Sequence, residues 1–172
     1  MGKVVANCIF FLFCQLGFSQ ADIFDVARKG TVAEMKSLIE KTPADINSVN
    51  NHGYSLLVLA TYRGNNEVAR FLIENGADIN GTSNYGSPLM SAVVKGNLEI
   101  VKVLLEHKVD TNIADQSGNT ALIYAVIFKN YDIAAMLVKA KADIAIKDIR
   151  GKSAMDYAKM NNDEKMMNLL KE

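Results

Sequence analysis

The side chains able to do chemistry are few, and their spacing does not assemble a reaction. His52 falls in a turn and His107 at the end of a helical pattern, exposed structural positions and not metal ligands or bases. Cys8 and Cys14 both lie in the first twenty residues. If that stretch is removed, no thiol nucleophile and no thiolate zinc site is left. Asp78, Asp110 and Asp143 recur at a regular interval, as loop-stabilising acids do, and do not form a catalytic pair. The glycines follow the same interval, and none belongs to a glycine-rich phosphate loop after a strand. Asn80-Gly81-Thr82 is a formal N-glycosylation sequon. Asn80 is matched by Asn47 and Asn112, however, and is read as a repeating loop asparagine. No catalytic residue, cofactor or metal is therefore expected. The remaining chemistry is that of recognition: arginines, lysines and tyrosines placed at a common interval.

That interval comes from the elements that carry these residues. Ala60, Ala92, Ala125 and Ala158 are spaced by 32, 33 and 33 residues. Three residues before them stand Leu57, Leu89, Leu122 and Met155, and five before them Ser55, Ser87, Thr120 and Ser153. Downstream come Leu72-Ile73, Leu104-Leu105, Leu137-Val138 and Leu169-Leu170, and the loops Ala77-Asp78-Ile79-Asn80, Val109-Asp110-Thr111-Asn112 and Ala142-Asp143-Ile144-Ala145. Each unit reads as two short helices, the first capped by its Ser or Thr hydroxyl, with one apolar face left uncovered. Such a unit is stable only when a neighbour covers it, so the chain is a tandem array.

The segments GYSLLVLA, GSPLMSA, GNTALIYA and GKSAMDYA, closed by ENGADIN, resemble the ankyrin repeat, whose period of about 33 residues they share. The resemblance runs from about Ala21 to Glu172 and implies an all-α solenoid of about five helix-turn-helix repeats joined by β-hairpin-like loops. The repeats fall at about 21–47, 48–80, 81–112, 113–145 and 146–172 within a domain of residues 20–172. Four departures from the family pattern stand out. Its histidine is replaced by Val58, Met90, Ile123 and Asp156; the third repeat lacks one residue after Gly86; Lys129 stands where Gly64 and Gly96 end the first helix; and Lys41-Thr42-Pro43 carries one residue more than later connections.

In this family partners bind the concave side, formed by the hairpin tips and the outward side of the first helices. Carried over by register, that side holds Arg28, Lys29, Tyr62, Arg63, Val94, Lys95, Ile127 and Phe128 on the helices. The hairpins add His52, Tyr54, Tyr85, Arg150 and Lys152. Six of these are cationic and none is Asp or Glu; the compensating acids, such as Glu67, Glu74, Glu99 and Glu106, fall on second helices. Tyrosine and arginine dominate binding hot spots, and charge of one sign steers an acidic partner. The resemblance implies a monomeric, non-catalytic module binding a protein partner with an acidic surface.

Residues 1–19 carry Lys3, a dense apolar run from Ile9 to Phe13, and small residues at Gly17 and Ser19. They read as a cleaved signal peptide ending before Gln20, too short in its apolar run to span a bilayer. The expected location is secreted or periplasmic, like small bacterial ankyrin proteins with signal peptides. An uncleaved anchor making an envelope scaffold, or lipid attachment at Cys14, is the alternative, although Phe13 is bulky where a lipoprotein needs a small residue. An immunity or inhibitor protein for a toxic enzyme is a further reading. With 19 basic and 19 acidic side chains, bulk charge does not advertise nucleic acid or membrane.

Overall fold

A computed structural model describes residues 22–41, 45–83 and 86–171. The signal-peptide stretch, the extra residue expected at Thr42-Pro43, and Tyr85 lie outside the described residues. Those residues form five helix pairs. They are α1 (Ile23–Lys29) with α2 (Val32–Lys41), α3 (Leu56–Arg63) with α4 (Asn66–Glu74), α5 (Pro88–Val94) with α6 (Leu98–Glu106), α7 (Ala121–Ile127) with α8 (Tyr131–Lys139), and α9 (Ala154–Met160) with α10 (Glu164–Leu169). The first helices α1, α3, α5, α7 and α9 stack in order as one row, and the second helices stack beside them as another. The all-α repeat architecture expected from the sequence is the one observed.

The caps behave as their residue types require. The hydroxyls of Ser55, Ser87, Thr120 and Ser153 accept from the N–H groups of Val58, Met90, Ile123 and Asp156. Each such cap is worth about 1 kcal/mol. Ala60, Ala92, Ala125 and Ala158 are wholly buried, which lets successive first helices come close. Leu72, Leu104 and Leu137 fill the space between the two rows with no exposed surface. The family histidine position holds core-filling Val58, Met90 and Ile123. In the last repeat its Asp156 closes a capping box with Ser153 instead. An apolar residue suits the interior of the stack, and a capping acid suits its end.

The loops are held by a repeating exchange of amide contacts. The side-chain oxygens of Asn47, Asn80 and Asn112 accept from the backbone N–H of Asp78, Asp110 and Asp143 in the next repeat, at 2.7, 2.9 and 2.8 Å. Each of those aspartates accepts in turn from the N–H two residues on, in Asn80, Asn112 and Ala145. The periodic acids are loop staples, and the Asn80 carboxamide is built into the same ladder. Isolated antiparallel bridges mark the hairpins: Val49 with Ser55, Ala114 with Thr120, Lys147 with Ser153, and the tighter Ser83 with Gly86. The closer bridge falls in the repeat that is one residue short.

Candidate recognition surface

The outward side chains of the first-helix row come from two successive positions, two and three residues after the buried alanine of each repeat. Tyr62 and Arg63 end α3, Val94 ends α5 and Lys95 caps it, and Phe128 caps α7. Repetition of the same helical phase brings them to one side of the stack. Tyr62, Arg63, Val94 and Phe128, together with Arg28, Tyr54 and Tyr124, border a hollow of about 570 Å³ floored by Val58 and Leu59. Tyr62, Val94 and Phe128 are 45%, 37% and 54% exposed, unusual for large apolar groups sharing one concavity. Tyr124 and Phe128 stack with ring centroids 6.2 Å apart. Tyr62 and Arg63 also border a second hollow of about 390 Å³ that includes Lys95.

The charges on this side are differently committed. Arg28 is paired with Asp25 at 2.6 Å. The Lys95 ammonium lies 4.2 Å above the Tyr62 ring, a cation–π contact that fixes one wall. Arg150 is paired with the fully buried carboxylate of Asp148 at 3.0 Å and contacts the Tyr157 hydroxyl. Arg63 has no carboxylate partner among the described residues. Two of the six expected cations are thus already paired, Arg28 with Asp25 and Arg150 with Asp148, two acids outside that set of positions. Register alone missed them because each lies outside the positions carried over, one turn before Arg28 or two residues before Arg150. Ile127, expected to face outward, packs against the core instead.

Two hairpins are tied to their own helices by a tyrosine. The Tyr124 hydroxyl donates to Asp115 Oδ2 and the Tyr157 hydroxyl to Asp148 Oδ2, both at 2.5 Å. Burial, then the Asp115 hydrogen bond and charge, push the Tyr124 hydroxyl up to about 12. The Tyr157 hydroxyl holds the Asp148 carboxyl down to about 2, helped by the Lys152 N–H and by Arg150 and opposed by burial. Both shifts keep the hydroxyl protonated and the carboxylate ionised.

Of the residues singled out from sequence, Arg28, Tyr54, Tyr62, Arg63 and Phe128 meet at one hollow, and Lys95 joins through Tyr62. Lys29, Arg150 and Lys152 do not line it. Sequence reasoning missed Leu59, Ser91 and Tyr124, which do. Tyr124 was detectable: it precedes Phe128 by one helical turn and follows Asp115 by the same interval that separates Tyr157 from Asp148. His52 and His107 are both exposed, His52 at the hollow's edge, while His107 Nδ1 is 2.9 Å from the Val103 carbonyl oxygen. Among the described residues no group of three His, Cys, Asp or Glu side chains could hold a metal ion.

Stacked helix pairs joined by hairpin loops, with an aromatic-lined hollow beside the first helices, define a helical repeat solenoid. Family models for ankyrin repeats match residues 38–89 and 79–148, together more than half of the sequence. The chain belongs to the ankyrin repeat family, and its repeats form a protein–protein interaction module. It is similar to human ankyrin repeat domain-containing protein 29, 39% identical over 57 residues, covering 33% of this chain and 19% of that protein. It is also 38% identical over 50 residues to mouse protein fem-1 homolog A-like, covering 29% of this chain and 8% of that one. A fission-yeast BTB/POZ domain-containing protein 3 (Schizosaccharomyces pombe) is 41% identical over 56 residues, covering 33% and 11%. The matched stretches span less than a fifth of each of these relatives.

Proposed function

We propose that this chain is a non-catalytic, monomeric binding protein that engages a partner's acidic surface through the hollow between its hairpins and first helices. The single observation that carries this reading is the convergence on one hollow of exposed Tyr62, Val94 and Phe128 with Arg63, which has no carboxylate partner among the described residues. Large apolar and aromatic side chains beside an arginine are the composition of an interface hot spot. The module acts outside the cytoplasm; the Lys3 and Ile9–Phe13 pattern, with small residues before Gln20, supports export. A native N-terminus at Gln20 in mass spectrometry fits secretion, whereas retained Met1 makes the same module a membrane-anchored envelope scaffold.

The test is charge reversal at the hollow. The double variant Arg63→Glu, Lys95→Glu should bind the natural partner more weakly, mainly through slower association, with a nearly unchanged melting temperature, since only the exposed Lys95–Tyr62 contact is lost. Association rates measured after affinity purification from the native source read this directly. Unaltered binding, or an equal loss of stability, would count against the assignment.

A further inference from the structure

Resting on that reading, we propose that the hollow accepts an extended segment of the partner protein in which a large apolar side chain stands next to a carboxylate. The hollow's volume of about 570 Å³ falls within the range of roughly 300–1,000 Å³ typical of ligand sites. Its floor is buried Val58 and Leu59, and its walls are Tyr62, Val94 and Phe128. An aromatic or leucine side chain placed there removes apolar surface from water on both sides of the contact. Among the described residues no carboxylate lines this hollow; Asp25 and Asp115 meet its border only through Arg28 and Tyr124, which leaves Arg63 as the cation open to a ligand.

The cations then select what accompanies that side chain. Arg28 is already satisfied by Asp25, while Arg63 borders the hollow without a carboxylate partner among the described residues. Its planar fork matches an incoming carboxylate. The site is also longer than one side chain. Tyr62 and Arg63 are shared with the second hollow, where Lys95 offers another positive charge beyond the tyrosine wall. A peptide crossing this wall keeps its anchor in the first hollow and its acids against Arg63 and Lys95. A compact small molecule in the first hollow alone would leave Lys95 unused.

Random peptides displayed on phage and selected on the purified full chain test the proposal. Enriched sequences should share Asp or Glu within two positions of Phe, Tyr, Trp or Leu. By fluorescence anisotropy, a synthetic winner should lose about tenfold or more in affinity with Phe128→Ala and again with Arg63→Glu. Lys139→Glu, exposed on the second helix α8 and away from both hollows, should bind it like the parent. Val94→Asp serves as a second apolar variant if Phe128→Ala lowers the melting temperature. No shared motif, enrichment without acids, or a winner indifferent to both apolar variants overturns the proposal. If the peptides fail while the natural partner still responds to Arg63→Glu, Lys95→Glu, the peptide socket falls and the wider face stands. If neither responds, both fall.

Discussion

The second and fourth hairpins use the same backbone turn but differ in how they are attached. Asn50 Oδ1 accepts from the N–H groups of His52 and Tyr54, just as Asp115 Oδ1 accepts from Ser117 and Asn119. Asp148 repeats the pattern with Arg150 and Lys152. The difference lies in the remaining atom. A carboxylate has a second oxygen, and Tyr124 and Tyr157 donate to it. A carboxamide has an NH2 group there, and the matching helix position beside Asn50 is Leu59. The last two hairpins are joined further: Ile149 N–H donates to the Ser117 carbonyl at 3.0 Å, and a Cβ on Gly118 would lie 2.9 Å from Asp148 Cα. The last two hairpins are thus joined to each other and to their own helices, while at Asn50 the residue nine positions on is Leu59, in the floor of the hollow. One repeat template gives an aspartate–tyrosine tie at Asp115 and Asp148 and none at Asn50, and the hollow spans the two kinds, lined by Tyr54 and Tyr62 from one and by Tyr124 and Phe128 from the other.

Cutting the connection between the regions should have the largest effect. Leu104, wholly buried in α6, lies between them. Leu104→Ala should cost about 2–5 kcal/mol in chemical denaturation and raise amide exchange in the repeats on both sides. A uniform loss confined to one side would mean that the halves are independent.

Removing one tyrosine tie sharpens the contrast. Tyr124→Phe should cost about 1 kcal/mol, read by urea unfolding, because the Asp115 carboxylate loses a donor. Its alkaline limb follows the sign of the shift. With the folded hydroxyl at about 12 against an ordinary 10.0, the stabilisation is complete below pH 10 and disappears as pH rises through 12. The Phe variant should lack that decline.

The acid limb belongs to the last hairpin. Asp148 is held at about 2 against an ordinary 3.8, so its contribution is present above pH 3.8 and lost as pH falls through 2. Asp148→Asn should flatten this dependence in acid titrations followed by circular dichroism. An unchanged limb would assign it to other carboxylates.

The smallest effect concerns helix ends. The first half turns at Gly64, Gly76 and Gly96, whereas the second turns at Lys108, Lys129, Lys141 and Asn162, all at positive φ. Lys129, at φ 53°, adopts a conformation that favours glycine. Lys129→Gly should stabilise by less than about 1 kcal/mol, since glycine's greater unfolded freedom offsets part of the relieved strain. A matched pair of thermal melts reads the difference.

The repeat was legible because the same residue types recur in register. Ser55, Ser87, Thr120 and Ser153 announce the caps, and Ala60 and its equivalents the close helix approach. Lys129 was recognisable as a left-handed position by alignment with Gly64 and Gly96, and the same comparison with Gly76 would have exposed Lys108 and Lys141. The hollow was only partly legible. Register gave Tyr62, Arg63 and Phe128 a common side but said nothing of Leu59 at the floor or of Asp148 beside Arg150.

Local pattern therefore determined the helices, their caps, their stacking order and the side from which the outward residues emerge. These follow from helical periodicity and capping chemistry, which act over a few neighbouring residues. Tertiary structure decided which cations stay unpaired, which tyrosines are tied down, and where the solenoid leaves an apolar concavity. Those outcomes depend on distances between side chains of different repeats and between hairpin and helix, which sequence spacing constrains but does not set.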